Sequence, residues 1–178
     1  MNRVDLFPSS VWIGEINVDN EKLKDKIYSF KQEVKSAQFS NQGGYQGHNF
    51  HDSEFIDALC KSLPMERSVN FMPQIWVNIN KKGDYNGRHA HTSTSVIFSG
   101  TYYVSVPENS GGIRFWDPRG VYMASMPDHI EFHGGCTWHK LEPKTGMLLF
   151  FPSWLEHDVE PNMSDQDRIS ISFNIMLV

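Results

Sequence analysis

The chain has 178 residues, 39% of them hydrophobic and 13% aromatic, and its formal net charge is −5. This length and composition predict a single globular domain, residues 1–178, and exclude a disordered chain. The acidic charge argues against a nucleic-acid partner, and the longest apolar runs, such as residues 147–151, are too short to cross a membrane.

The first third of the chain is predicted to be mainly helical. A weakly alternating stretch, residues 7–16, predicts an opening strand. Asp19 is a residue type that caps helices, and the apolar spacing after it predicts a helix over residues 21–36. The glycine-rich residues 41–47 predict a loop, after which Asp52 is placed to cap a short helix.

From residue 74 onward the pattern is that of short strands separated by Gly, Pro and Asn turns. The predicted strands are residues 74–80, 94–106, 112–116, 129–133, 137–141, 147–151 and 168–177. No helical periodicity lies between them, which favours an antiparallel jelly roll over a parallel βαβ sheet. We therefore predict a mainly β domain in which residues 1–73 supply a strand and support helices and residues 74–178 form the core.

The last predicted strand has one apolar and one polar face. Its apolar side chains are those of Ile169, Ile171, Phe173, Ile175 and Leu177, whereas Arg168, Ser170, Ser172 and Asn174 share the other face. In a barrel that holds a ligand, such a polar face lines the cavity. Tyr103 has the same parity as Ser99 and Thr101, and it is predicted to face this cavity if no bulge at Gly100 shifts the register.

Three histidines are predicted to form a metal site. His89 and His91 are two residues apart, so on an extended strand their side chains point to the same face. His157 follows a distant strand and completes a three-coordinate site, for which iron is the leading candidate. Because His-x-His alone is a weak signal, two solvated or hydrogen-bonded imidazoles are the alternative.

Other carboxylates and histidines are weaker metal-ligand candidates. Asp84 offers an alternative carboxylate, but it precedes the histidine pair on a turn. Glu156 and Asp158 flank His157, so on an extended segment they would point away from the metal. The spacing of His129, His133 and His139 suits no metal site, and His48 and His51 lie in a glycine-rich loop where no catalytic role is expected.

Arg168 is predicted to bind an acidic ligand near the metal. It lies eleven residues past His157 and shares its strand face with Ser170. A planar guanidinium beside a hydroxyl suits a carboxylate.

Six short motifs together carry a family resemblance. They are Trp76-Val-Asn78, His89-Ala-His91, Ser99-Gly-Thr-Tyr-Tyr103-Val, Asp117-Pro-Arg119, Phe151-Pro-Ser-Trp-Leu-Glu-His157 and Arg168-Ile-Ser-Ile-Ser-Phe-Asn174. In combination they resemble the iron(II)/2-oxoglutarate-dependent oxygenases of the short, phage and bacterial type, which are similar to the prolyl hydroxylases. The resemblance runs from about Trp76 to the C-terminus, and it implies a double-stranded β-helix, the cupin-like form of the jelly roll, around one non-haem iron.

The resemblance also implies a role for each site residue. The residues concerned are His89, His91 and His157 for Fe(II), and Arg168, Ser170, Tyr103 and Asn78 for 2-oxoglutarate. Arg168, Ser170 and Tyr103 would hold the distal carboxylate, and Asn78 would hydrogen-bond the cosubstrate or a neighbouring ligand. The implied reaction uses O2 and hydroxylates a substrate that the sequence does not identify.

One residue departs from the family pattern. His91 stands where many of these oxygenases have aspartate, which leaves the metal centre one unit more positive. Three-histidine iron also occurs in cupin-type dioxygenases that need no 2-oxoglutarate, and that alternative predicts Arg168 as the ion-pair partner of Asp165 or Asp167. A non-catalytic jelly-roll binding module is the third hypothesis.

The cysteines and the N-terminus favour a cytoplasmic protein. Cys60 and Cys136 are 76 residues apart with no Cys-x-x-Cys motif, and residues 1–8 lack the apolar core of a signal peptide. An exposed apolar sheet edge would allow a homodimer.

Overall fold

The computed structural model describes residues 7–65, 70–119 and 137–178. Within these ranges the chain forms two helices and eleven strands. In chain order they are β1 (Trp12–Glu15), α1 (Asn20–Glu33), β2 (Asn41–Gln42), β3 (Tyr45–His48), α2 (Ser53–Lys61), β4 (Phe71–Asn80), β5 (Tyr85–His89), β6 (Val96–Ser105), β7 (Ile113–Trp116), β8 (Trp138–Leu141), β9 (Met147–Pro152), β10 (His157–Val159) and β11 (Arg168–Leu177).

The strands form two antiparallel sheets on either side of a central cavity. The six-stranded sheet has the order β1-β9-β6-β11-β4-β3, and the five-stranded sheet has the order β2-β5-β10-β7-β8. Most connections cross from one sheet to the other, as they do in a jelly roll. The prediction of a mainly β double-stranded β-helix with N-terminal helices is confirmed.

Five connections cross between the sheets at the end of the barrel where β11 begins. They are residues 43–44, 81–84, 106–112, 142–146 and 160–167. At this end β4 finishes at Asn80, which pairs with Arg168, and β6 finishes at Ser105, which pairs with Ile169. The connections therefore lie over the end of the cavity to which Arg168 belongs.

Both helices begin at a capping aspartate, as predicted, and pack on the outer face of the six-stranded sheet. Asp19 accepts a hydrogen bond from the main-chain N–H of Lys22 at 3.0 Å, and Asp52 accepts one from Phe55 at 2.9 Å. The helices and β11 share one cluster of buried apolar residues, which includes Leu23, Ile27, Phe55, Leu59, Ile169, Ile171, Phe173 and Ile175. In the described ranges neither helix is both long and apolar enough to cross a membrane.

Several local predictions were wrong or incomplete. The stretch 41–47 is not a loop throughout, because β2 and β3 flank its two central glycines. The short strands β5 and β10 were not predicted, since β5 contains a glycine and β10 has only three residues. They are stabilised by pairing, because β10 lies between β5 and β7. Strand β1 is shorter than predicted, and the predicted strand 129–133 lies outside the described residues.

The polar face of β11 lines the cavity, and the pairing of Ser170 with Tyr103 brings Tyr103 of β6 to the same side. Gly100 pairs directly with Phe173, so no bulge occurs there. The register shifts lie instead at the steps from Ile169 to Ser170 and from Ile175 to Met176. Tyr103 therefore faces the cavity, as predicted from its parity.

Gly100→Ala should destabilise the fold. An added Cβ would lie nearer than 3.0 Å to the main-chain oxygen of Leu149 and to the ring of Phe173. Neither can move freely, because both belong to the strands that pair with β6 on either side. We expect the free energy of unfolding in urea to fall by about 1–3 kcal/mol, the usual cost of overpacking a core.

Gly14→Ala on β1 is the matched control for Gly100→Ala. An added Cβ there meets no atom within 4 Å. The free energy of unfolding should stay within about 0.5 kcal/mol of the parent value. Equal stability of the two variants would contradict the close packing at Gly100.

Candidate active site

Three imidazoles converge where β10 lies between β5 and β7. His157, the first residue of β10, pairs directly with His89 of β5. His91 lies two residues beyond the end of β5, and its main-chain N–H donates to the carbonyl of Ser153 at 2.9 Å. The ligand atoms of the three rings all lie within 4.8 Å of one another. Within the described ranges, no other cluster of three His, Cys, Asp or Glu side chains has this geometry.

Main-chain carbonyls orient two of the three rings. Nδ1 of His89 lies 2.7 Å from the carbonyl oxygen of Gly87, and Nδ1 of His157 lies 2.9 Å from that of Leu155. A carbonyl oxygen only accepts, so each Nδ1 carries the proton and each Nε2 keeps its lone pair. The two Nε2 atoms are therefore the ones available to a metal.

Burial keeps all three imidazoles neutral. It lowers the pKa of His157 well below the ordinary value, and the neighbouring His89 lowers it further. Burial also lowers the pKa of His91, to about 4, and the pKa of His89. The neutral ring is the form that binds a metal.

The carboxylates next to His157 are bonded elsewhere, as their positions in the sequence predicted. Asp158 accepts from Nε of Arg114 at 2.7 Å and from Nε1 of Trp116 at 2.8 Å. Glu156 accepts from Nε of Arg88 at 3.0 Å. The candidate ligand set is therefore three imidazoles without a carboxylate.

The alternative ligand Asp84 is also engaged elsewhere. Its carboxylate accepts from the main-chain N–H of Lys81 at 2.8 Å, in the turn that precedes β5. Asp84 does not belong to the group of converging ligand atoms.

Arg168 is a buried cation with one unpaired nitrogen. Its side chain is almost inaccessible, at 1% exposure. Nη1 donates to the carbonyl oxygens of Ser110 and of Glu160, the latter at 3.0 Å. Nη2 has no hydrogen-bond partner among the described residues. Burial lowers the pKa of Arg168, and such a desolvated guanidinium is stabilised by an anionic acceptor.

One cavity joins the imidazoles to Arg168. It encloses about 510 Å³ of empty volume, its mouth included. All seven residues predicted for the site line it: Asn78, His89, His91, Tyr103, His157, Arg168 and Ser170. Burial raises the pKa of Tyr103, which keeps its hydroxyl protonated and able to donate. Asn78 donates to Oγ of Ser172 at 3.0 Å, while its own Oδ1 has no partner among the described residues.

The cavity fits an iron(II) ion together with 2-oxoglutarate. Three imidazole nitrogens on one side of a six-coordinate ion leave positions open for a chelating cosubstrate. The unpaired Nη2 of Arg168 is suited to a carboxylate oxygen.

The sequence patterns did not single out every residue that lines the cavity. Asn80 and Asn86 also line it, and Nδ2 of Asn80 has no partner among the described residues. Asn80 shares the parity of Asn78 on β4, so strand alternation could have found it. Asn86 lies on β5, which was not predicted as a strand, and therefore carried no such signal.

The remaining histidines do not join the metal group. His51 and His139 are exposed, and His129 and His133 lie outside the described residues. His48, predicted to lie in a loop without a catalytic role, is on β3, and its ring stacks on Trp76 at 5.7 Å.

Comparison with known proteins identifies a family for the β core. Residues 74–174, more than half of the chain, match the family described as "Putative 2OG-Fe(II) oxygenase". No curated protein matches the chain in sequence.

Solved oxygenase structures share the fold. A prolyl-4-hydroxylase from Pseudomonas putida has a TM-score of 0.68 and 14% identity, over 96% of this chain and 94% of that one. A viral collagen prolyl hydroxylase from Paramecium Bursaria Chlorella virus-1, in complex with 2OG, has a TM-score of 0.60 and 18% identity, over 94% of this chain and 96% of that one. HygX from Streptomyces hygroscopicus, with nickel and 2-oxoglutarate bound, has a TM-score of 0.64 and 10% identity, over 96% of this chain and 84% of that one.

His157→Ala should abolish tight metal binding. Losing an outer partner of a metal ligand costs 10–100-fold in affinity, so losing a ligand should cost at least about 100-fold. We expect this loss for cobalt(II), measured by equilibrium dialysis and titration calorimetry.

Asp84→Asn is the control for His157→Ala. It changes the alternative carboxylate predicted from the sequence and keeps all three imidazoles, so the cobalt affinity should equal that of the parent protein. Weak binding by Asp84→Asn with tight binding by His157→Ala would place the metal at the turn before β5.

Proposed function

This chain belongs to the 2OG-Fe(II) oxygenase family that its residues 74–174 match, and we propose that it works as a hydroxylase through the cavity between its two sheets. It is a 2-oxoglutarate-dependent oxygenase and uses O2 to oxidise a substrate. The site assignment rests on one observation: a single cavity joins three neutral imidazoles to the buried guanidinium of Arg168, whose Nη2 has no hydrogen-bond partner among the described residues.

His89, His91 and His157 are proposed to hold the iron. Their ligand nitrogens all lie within 4.8 Å of one another, and the rings of His89 and His157 are fixed by carbonyl oxygens behind them. Iron(II) bound with 2-oxoglutarate supplies the activation of O2 on which this family depends. The apolar rings of Phe115 and Phe151 pack beside His157 and exclude water from that side.

Arg168 is proposed to anchor the distal carboxylate of 2-oxoglutarate. Its Nη2 donates to one oxygen, while Ser110 and Glu160 hold Nη1 in place behind it. The protonated hydroxyl of Tyr103 and the hydroxyl of Ser170 supply further donors from neighbouring strands. Asn78 is proposed to orient the middle of the cosubstrate with its unpaired Oδ1, or to order a water there.

The surroundings of Arg168 support this anchor over a purely structural role. A three-histidine dioxygenase that lacked 2-oxoglutarate would leave Arg168 to pair with Asp165 or Asp167. Instead Asp165 pairs with Lys82 at 2.7 Å, and Asp167 accepts from the hydroxyl of Tyr28 at 2.8 Å. A non-catalytic module would not need the intact imidazole group.

We also infer the wider setting of the protein. The core shared by the helices and the six-stranded sheet supports one domain over residues 1–178. The cysteine spacing supports a cytoplasmic location, and the net charge of −5 supports a substrate other than nucleic acid. β1 lies at an edge of its sheet with Trp12 and Ile13 exposed, which supports pairing with a second copy in a homodimer.

Anaerobic addition of iron(II) and 2-oxoglutarate should produce a metal-to-ligand charge-transfer band in the visible spectrum. Arg168→Ala should weaken 2-oxoglutarate binding at least about 30-fold, because truncating one partner of a buried charged pair costs about 2–5 kcal/mol. Titration of the band with 2-oxoglutarate measures this loss.

Lys82→Ala is the control for Arg168→Ala. It removes an exposed cation that pairs with Asp165 and does not line the cavity, so the titration should be unchanged. Iron binding by the parent protein without any 2-oxoglutarate-dependent band would refute the proposed cosubstrate site.

A further inference from the structure

The three proposed ligands are held in two different ways. His89 and His157 each have Nδ1 bonded to a main-chain carbonyl. No described residue hydrogen-bonds the ring of His91, which lies beyond the last residue of β5. Within the described ranges the hydrogen bond of His91 is made by its main-chain N–H, to the carbonyl of Ser153. The orientation of the His91 ring therefore depends on the rings around it.

The indole of Trp76 stacks on the ring of His91. Trp76 lies on β4, lines the cavity and is only 7% exposed. Its ring centroid is 5.6 Å from that of His91, with an angle of 26° between the planes. The rings of His91 and His157 lie 5.3 Å apart at 5°. His91 thus makes near-parallel contacts with a fixed ligand and with a fixed indole.

The position of Trp76 is set in turn by β3. His48 pairs with Trp76 in the register of β3 and β4, and the two rings stack at 5.7 Å and 17°. Phe39 packs edge-on against His48 at 5.1 Å and 66°. These residues, Phe39, His48, Trp76 and His91, form a ring stack from the edge of the six-stranded sheet to the proposed metal centre.

We propose that Trp76 is a positioning residue that holds His91 in its metal-binding orientation by stacking. This inference rests on the proposed function and deepens its metal site. A histidine side chain has two rotatable bonds, and a ligand that is already ordered loses less entropy when the metal binds. Aromatic contacts are directional, so the indole restricts the tilt of His91 as well as its place. Stacking on Trp76 thus orients the ring of His91, as hydrogen bonds to main-chain carbonyls orient the rings of His89 and His157.

The test compares Trp76→Leu with Trp76→Phe, using cobalt(II) as the metal probe in the full chain. Trp76→Leu removes the flat face, and we expect about a 10-fold loss of cobalt affinity, the lower end of the effect of removing an outer partner of a metal ligand. The visible absorption of bound cobalt, which reports the number and geometry of its ligands, should change in the same variant. Trp76→Phe keeps an aromatic face and should restore most of the affinity and the parent spectrum.

Phe150→Leu is the matched control for loss of aromatic volume. Phe150 is 3% exposed and packs on Phe173, away from the imidazoles. Both belong to the cluster of buried apolar residues that the helices share with β11. Phe150→Leu should lower the melting temperature of the metal-free protein, as Trp76→Leu should, but it should leave the cobalt affinity and spectrum unchanged. If Trp76→Leu does not fold, His48→Leu, which removes the ring behind Trp76, should show a smaller loss in the same direction.

Two results would overturn the role of the ring stack, and a third would overturn the metal site as well. Parent-like cobalt affinity and spectrum in folded Trp76→Leu, or in His48→Leu when it is the variant used, would overturn the role of the stack while leaving the proposed metal site intact. Equal losses of affinity in Trp76→Leu and Phe150→Leu would also overturn it, because a general loss of packing would then explain both. Failure of the parent protein to bind cobalt would overturn the proposed metal site, and this inference with it.

Discussion

The alternation of side chains along β11 is the constraint on which both halves of the molecule depend. β11 is hydrogen-bonded to β4 and β6 along its length, so its side chains must point alternately to the helices and to the cavity. The apolar set buries against α1 and α2, and the polar set, beginning with Arg168, forms a wall of the cavity. A slip of one residue would place the guanidinium against the helices. Stability and site chemistry therefore share one register.

The five-stranded sheet sets the charge of the site. β10 presents His157 inward, while the acidic residues on either side of it, Glu156 and Asp158, are bonded to Arg88 and Arg114. Those carboxylates are thereby kept away from the metal group. Among the described residues that line the cavity none is acidic, so a bound metal and Arg168 would present positive charge without a counter-charge. A dianion such as 2-oxoglutarate is the ligand that this arrangement favours.

The sequence predicted those parts of the site that depend on strand alternation and on motif identity. The parity of β11 placed Arg168 and Ser170 in the cavity, and the spacing of His89 and His91 placed both rings on one side. β5 and β10 were not predicted because a very short strand, or one that contains glycine, has little strand propensity of its own. Such a strand forms because it pairs with its neighbours in the sheet. The stacking of His48 on Trp76 was also invisible, since it depends on the pairing of β3 with β4, which no local pattern encodes.

The five connections that cross the barrel where β11 begins have a kinetic consequence. They lie over the end that holds Arg168, and one cavity joins the guanidinium to the three imidazoles, so a ligand that enters on the metal side passes the imidazoles first. A cosubstrate has to travel that way first, and a substrate seated above the metal would block it. With 2-oxoglutarate in the site proposed for it, binding would therefore be ordered in time, the cosubstrate before the substrate.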